Sequence, residues 1–298
     1  MYILKPVDIT PAMVSSTNVP VNDFAAWNAA TSYTVGTKVI RTTTNKIYRN
    51  LIAGVNATLP ENDASRWADE GYVNAYKMID ALSSTQVSQA DNIIFTVNVG
   101  QSISSLAFIN LVGQELRILA TDNGTTTVYD KTILLDATQV TSYYEWFFEP
   151  FVQKSDHIEL DFPEVITQPV ITITLSGSGT VKMGRFVCAK AYEIGEMQYG
   201  AGISIKDYSI KTTDVNNVVS LTKKDNVKLM SFKLEIGQAE TNRINKLLRQ
   251  LLSIPCVFVG VSSDSYEYTV AHGFFQTFRV VISFPGLNYC ELDIEELT

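Results

Sequence analysis

The stretch from about Gln86 to Ala191 constrains the fold more than any other part of the chain. It breaks into eight apolar or alternating runs: IIFTVNV, SLAFINLV, ELRILATD, TVYDKTILL, YYEWFFEPF, HIELDF, VITITLSG and VKMGRFVCAK. Turn signals such as Asp122-Asn123-Gly124 and Gly177-Ser178-Gly179 separate them. Short strands recurring every ~8–14 residues predict a jelly-roll-like β-sandwich, assigned here to residues 83–194.

The flanks read differently. Residues 1–22 carry Pro6, Pro11 and Pro20 among Ser and Thr, which predicts an extended N-terminal arm of the kind that crosses onto a neighbouring subunit. Residues 23–82 predict a small β module and connector. Its β-branched runs Lys38–Arg41 and Lys46–Leu51 are joined by Thr42–Asn45 as a hairpin, and one helical turn is expected within Ala64–Leu82. Residues 195–298 predict a C-terminal α+β assembly unit, with strands in GISIKDYSIK, VVSLTKK, VKLMSFKLEI, PCVFVGV, YTVAHGFF, TFRVVISF and YCELDIEEL. One amphipathic helix is expected, because Ile244, Leu247, Leu248, Leu251 and Leu252 repeat at helical spacing before Pro255. The fold class expected is therefore mainly β, with one amphipathic helix.

Composition narrows the function. The chain has 298 residues, 31 acidic against 23 basic, for a net charge of −8, and no basic run longer than a pair. A duplex-gripping surface is not expected, so nucleic acid is excluded as a partner. Apolar stretches are far shorter than the ~20 residues of a spanning helix, and the N-terminus shows no export signal, so no membrane insertion is expected. Cys188, Cys256 and Cys290 lie far apart in apolar text and read as buried thiols, with a pairing of two of them left open.

Candidates for chemistry are few. No phosphate-loop, dinucleotide, zinc-protease or nucleophile-elbow motif occurs, and no metal or cofactor is implied. His157 sits in KSDHIELDF, where Asp156, Glu159 and Asp161 read as the solvated acidic face of a half-buried strand. His272 reads as a turn or sheet residue. Glu145 and Glu149 flank the aromatic run SYYEWFFEPF and are the obvious pair for glycoside hydrolysis, but a strand that buries one aromatic face accounts for them better. The chain is therefore expected not to be an enzyme.

One segment carries a more specific pattern. In Ala26–Trp67, the residues Trp27, Tyr33, Gly36, Val39, Tyr48, Pro60 and Trp67 fall in the order A-W, Y-x-x-G-x-x-V, Y, P, W. This resembles the small chitin-binding module of carbohydrate-binding families 5 and 12, except that Asn50 stands where that family has alanine. The resemblance implies that Trp27, Tyr33 and Trp67 stack on sugar rings, with a core-forming role as the competing reading. The remainder is similar to structural proteins of bacteriophage tails: a sandwich, then Gly195, Tyr199 and Gly200 leading into Asp207-Tyr208-Ser209, then a closing strand. That likeness implies a non-catalytic virion component of the tail, baseplate or tail-tip ring, linking tail core to fibres. It would be made in the host cytoplasm, with other tail proteins and a symmetric homo-oligomer as partners. The alternative it leaves is a glycan-binding host-recognition protein.

Overall fold

The computed structural model of the protein describes residues 1–138, 142–148, 152–164, 167–214, 217–224 and 226–297. It is mainly β, and among these residues a 14-stranded sheet runs through the central and C-terminal parts of the chain.

The chain starts inside that sheet. β1 (Tyr2–Pro6) is antiparallel to two partners, pairing Tyr2 with Glu193 on one side and with Val259 on the other. Ile3 and Leu4 are fully buried. This corrects the extended arm expected over residues 1–22: Pro6 only ends the first strand, Pro11 and Pro20 lie beyond it, and the first residues form an interior strand. β2 (Val14–Thr17) then lies along the sandwich, with Val14 and Val19 in its core.

The small β module comes next. β3 (Ser32–Tyr33) pairs with β6 (Gly54–Val55), while β4 (Lys38–Arg41), β5 (Lys46–Asn50) and β7 (Trp67–Tyr72) form a three-stranded sheet. Asn45, at φ 54°, closes the β4–β5 hairpin in the left-handed conformation asparagine tolerates. Ile40 and Ile47 bury into the same cluster as Val73, Met78 and Phe95, so the module is packed onto the sandwich. The helical turn expected in the connector is a 3-10 turn, Asn74–Ile79.

The sandwich consists of β8 (Val87–Asn98), β9 (Ser105–Val112), β10 (Glu115–Asp122), β11 (Thr126–Leu134), β12 (His157–Glu159) and β13 (Pro169–Glu193). Its two sheets share β13. The first half of that strand lies between β10 and β8, and the second half pairs with β9 and then β1. Phe95, Phe108, Ile173 and Phe186 fill the space between the sheets, each contributing about 1.5–3 kcal/mol by leaving water. The two runs VITITLSG and VKMGRFVCAK are thus one strand. Ser176 pairs with Asn92 and Thr180 with Ala90, so residues 177–179 oppose Asp91 alone. Gly179 (φ 90°) and Asp91 (φ 64°) make a bulge of what reads as a hairpin turn, and there β13 passes from one sheet to the other.

The aromatic run is a second correction. Tyr143–Phe148 is a short helix, α1, and not a strand. The cause is local: Ser142 N–H donates to Glu145 Oε2 (2.8 Å) and Glu145 N–H to Ser142 Oγ (3.2 Å), a capping box.

The C-terminal unit is α+β as expected. β14 (Glu196–Met197), β15 (Gly202–Asp207), β16 (Ile210–Thr213), β17 (Val219–Thr222) and β18 (Asn226–Gly237) precede α2 (Gln238–Gln250). β19 (Cys256–Val259), β20 (Val270–Phe284) and β21 (Leu287–Glu296) close the chain, and the order runs β1-β19-β20-β21-β18. YTVAHGFF and TFRVVISF form the single strand β20. Ile244, Leu247 and Leu248 of α2, with Leu251, pack against Phe232, Leu234 and Leu292. Leu252, two residues past the end of the helix, is exposed. The three cysteines are buried free thiols, and desolvation pushes Cys256 up to about 12 and Cys290 up to about 11.

Gly273 in β20 leaves no room for a side chain beside β21. A Cβ there would stand 2.0 Å from the Glu295 carbonyl oxygen, which belongs to the backbone and cannot swing aside. Gly273→Ala is therefore expected to cost about 3 kcal/mol, read as a lowered midpoint in chemical denaturation. An unchanged midpoint would contradict this packing.

Candidate functional site

The aromatics proposed to stack on sugar occupy the middle of the N-terminal module. Trp67 is 2% exposed and Tyr33 8%, and together with Val39 and Tyr48 they form its core. The Tyr33 and Trp67 rings meet edge to face, with centroids 5.3 Å apart and planes at 76°. Tyr33 Oη accepts from the Asn28 N–H at 2.7 Å. Trp27 is half-buried against this core, and the Arg41 guanidinium lies over its ring at 5.1 Å, held there by a two-pronged contact with Glu61 (2.8 and 2.9 Å). A stacking platform needs exposed, roughly coplanar faces. Tyr33 and Trp67 present neither, which corrects their assignment as binding residues and leaves Trp27 alone at the surface. Trp67→Ala is expected to cost about 3–5 kcal/mol and to unfold the module first, seen as early loss of amide-exchange protection across β4, β5 and β7. Retained protection there would show that Trp67 is not the keystone.

The acidic strand also departs from expectation. Glu159 is buried (4% exposed), with Lys131 Nζ at 2.6 Å and His157 Nε2 at 3.5 Å. Burial would raise its pKa, but the His157 and Lys131 contacts outweigh burial and hold it down to about 2. Asp156, just before β12, is pushed upward by burial, although its Oδ1 accepts the Asn110 N–H at 2.8 Å. The reason is topological: β12 is covered by β9 on one side and approached by β11, so Glu159 finds a partner where solvent was expected. These groups line an open cleft of about 830 Å³, with Lys154 and Glu267 paired across it. An ionised, salt-bridged Glu159 is poorly suited to donate a proton, and the cluster acts as an electrostatic clasp.

Glu145 closes the capping box of α1. Glu149 lies outside the described residues. Among the described residues, no group of three His, Cys, Asp or Glu side chains is placed to hold a metal, and no helix is long and apolar enough to cross a membrane. His272 is buried in β20.

The surfaces that stand out are apolar ones. Tyr143, Tyr144, Trp146, Phe147 and Phe148 of α1 are each at least 70% exposed. In the C-terminal unit, β15 adds to the edge of β18, and β16–β17 continue as a separate hairpin. Apart from Ser209, every described residue of 202–224 is exposed, including Ile205, Ile210, Val219 and Leu221. Alternation marks these segments as strands, but it says nothing about whether a sheet face is covered. For α1 the readable signal was Ser142-x-x-Glu145, a helix-start signature inside text that otherwise looks like strand.

Comparison of the chain with family models, curated proteins and solved structures finds no match.

Proposed function

We propose that the chain is a non-catalytic structural protomer of a bacteriophage tail, placed in the tail, baseplate or tail-tip ring between tail core and fibres. One observation carries the assembly role. Beyond β15, which lies on the edge of β18, β16 and β17 form a solvent-exposed hairpin with Ile210 on one face and Val219 and Leu221 on the other, and a two-stranded hairpin is marginal in water unless another surface covers it. The resemblance of residues 195–209 to tail structural proteins supplies the setting. The glycan-binding alternative loses support because two of its three aromatics are core.

Antibody raised against the chain is expected to label one end of tailed particles in lysates of the cells that produce it. Recovery of the chain only as protein separate from particles would overturn the reading.

A further inference from the structure

The exposed arm extends from β15 at the edge of β18, and the exposed helix α1 lies in the connection between β11 and β12. Neither is covered by other described residues. They are complementary in charge. Residues 202–224 carry four lysines and two aspartates, a formal +2, which leaves 19 basic against 29 acidic residues, or −10, on the rest of the chain. Between Lys131 and Lys154, the sequence that contains α1 has three acidic residues and no basic one.

Their geometry is complementary too. In the β16–β17 register, Lys211 pairs with Leu221 and Thr213 with Val219, so one face of the hairpin carries the aliphatic pair Val219 and Leu221 beside Lys211 and Thr213. On α1, the Tyr144 and Phe148 rings meet at a tilt with centroids 4.8 Å apart, while Tyr143, Trp146 and Phe147 share a second face at i, i+3 and i+4. That face is strongly exposed, at 89%, 71% and 73%. The exposed Tyr143–Trp146–Phe147 face suits a strand face that carries aliphatic side chains and a lysine, by burial and by cation–π attraction.

We propose that the arm of one copy docks, through Lys211, Val219 and Leu221, on the Tyr143–Trp146–Phe147 face of α1 in a second copy. The contact joins two different patches, so each copy gives one arm and receives one, and repetition builds a ring or a helical filament. The inference rests on the structural role proposed above and names the partner of its arm.

The test uses two variants of the full chain, altered only at exposed positions and checked for native circular dichroism. The arm variant is Lys211→Glu with Leu221→Asp, and the helix variant is Trp146→Ser with Phe147→Ser. In native mass spectrometry each alone is expected as a single chain, while the wild type assembles. An equimolar mixture should form a one-to-one pair, because the helix variant keeps its arm and the arm variant keeps its α1. The inference is overturned if the mixture stays monomeric while the wild type assembles, if either variant alone assembles like the wild type, or if the wild type is a single chain at its highest soluble concentration. Each of these outcomes leaves the particle-labelling readout, and with it the structural role, standing. Absence of labelling with a positive mixing result would remove the tail setting and keep the contact.

Discussion

Removing residues 1–6 is expected to abolish the native fold, not to release an appendage. β1 is hydrogen-bonded on both sides, to β13 through residues 189–193 and to β19 through residues 257–259, so its loss opens the sheet where the sandwich meets the C-terminal unit. Ile3 joins the core of the C-terminal unit and Leu4 the cluster formed with Val187, Ala189 and Val257. The milder change Leu4→Ala should cost about 2–5 kcal/mol, and Leu4→Asp more, since it buries an unpaired carboxylate. Thermal unfolding followed by circular dichroism reads both. A truncated chain that melts like the full one would mean that β1 is not part of the stable structure.

Acid is expected to destabilise the protein through His272. Its ring is 2% exposed, and neither nitrogen has a hydrogen-bond partner among the described residues. Burial, with a smaller contribution from the Arg185 charge, lowers its pKa to about 3. An unfolded histidine titrates near ~6.5. Between those values the unfolded chain takes up a proton that the folded chain refuses, so stability is full above about pH 6.5 and falls as pH drops toward 3, by up to about 1.4 kcal/mol per unit. Glu159 acts in the same sense lower down: its pairing with Lys131 and His157 stabilises fully above about pH 4.5 and is lost as pH falls toward 2. Asp156 and Glu296, both raised by burial, work in the opposite direction and offset part of the loss. The slope for His272 is isolated by comparing wild type with His272→Gln in urea titrations between pH 7 and 4. The variant should show a shallower loss, whatever its absolute stability. Parallel curves would mean that the His272 ring is protonated in the folded protein.

Local physics was readable in the chain and long-range pairing was not. The β4–β5 hairpin and α2 arise from patterns spanning a few residues, β-branched alternation around Asn45 and the i, i+3, i+4 stripe from Ile244, and both stand where the pattern puts them. Gly177-Ser178-Gly179 shows that the backbone can bend there, but only the opposing Asp91 turns the bend into a bulge. The burial of Ile3, Leu4 and Glu159 depends on partners far away in sequence, at β13, β19 and Lys131, which no local window contains. Trp27, Tyr33 and Trp67 were ambiguous for a different reason. A core and a sugar platform use the same residue types, and the 76° between the Tyr33 and Trp67 planes is a property of the fold alone.

The proposal that this chain assembles is tested most directly by sedimentation velocity of the wild-type protein across a concentration series. Species larger than one chain are expected, growing with concentration and dissolving in high salt, where the attraction between the lysine-bearing arm and the acidic body is screened. A single sedimenting species of one chain at every concentration and salt would contradict it.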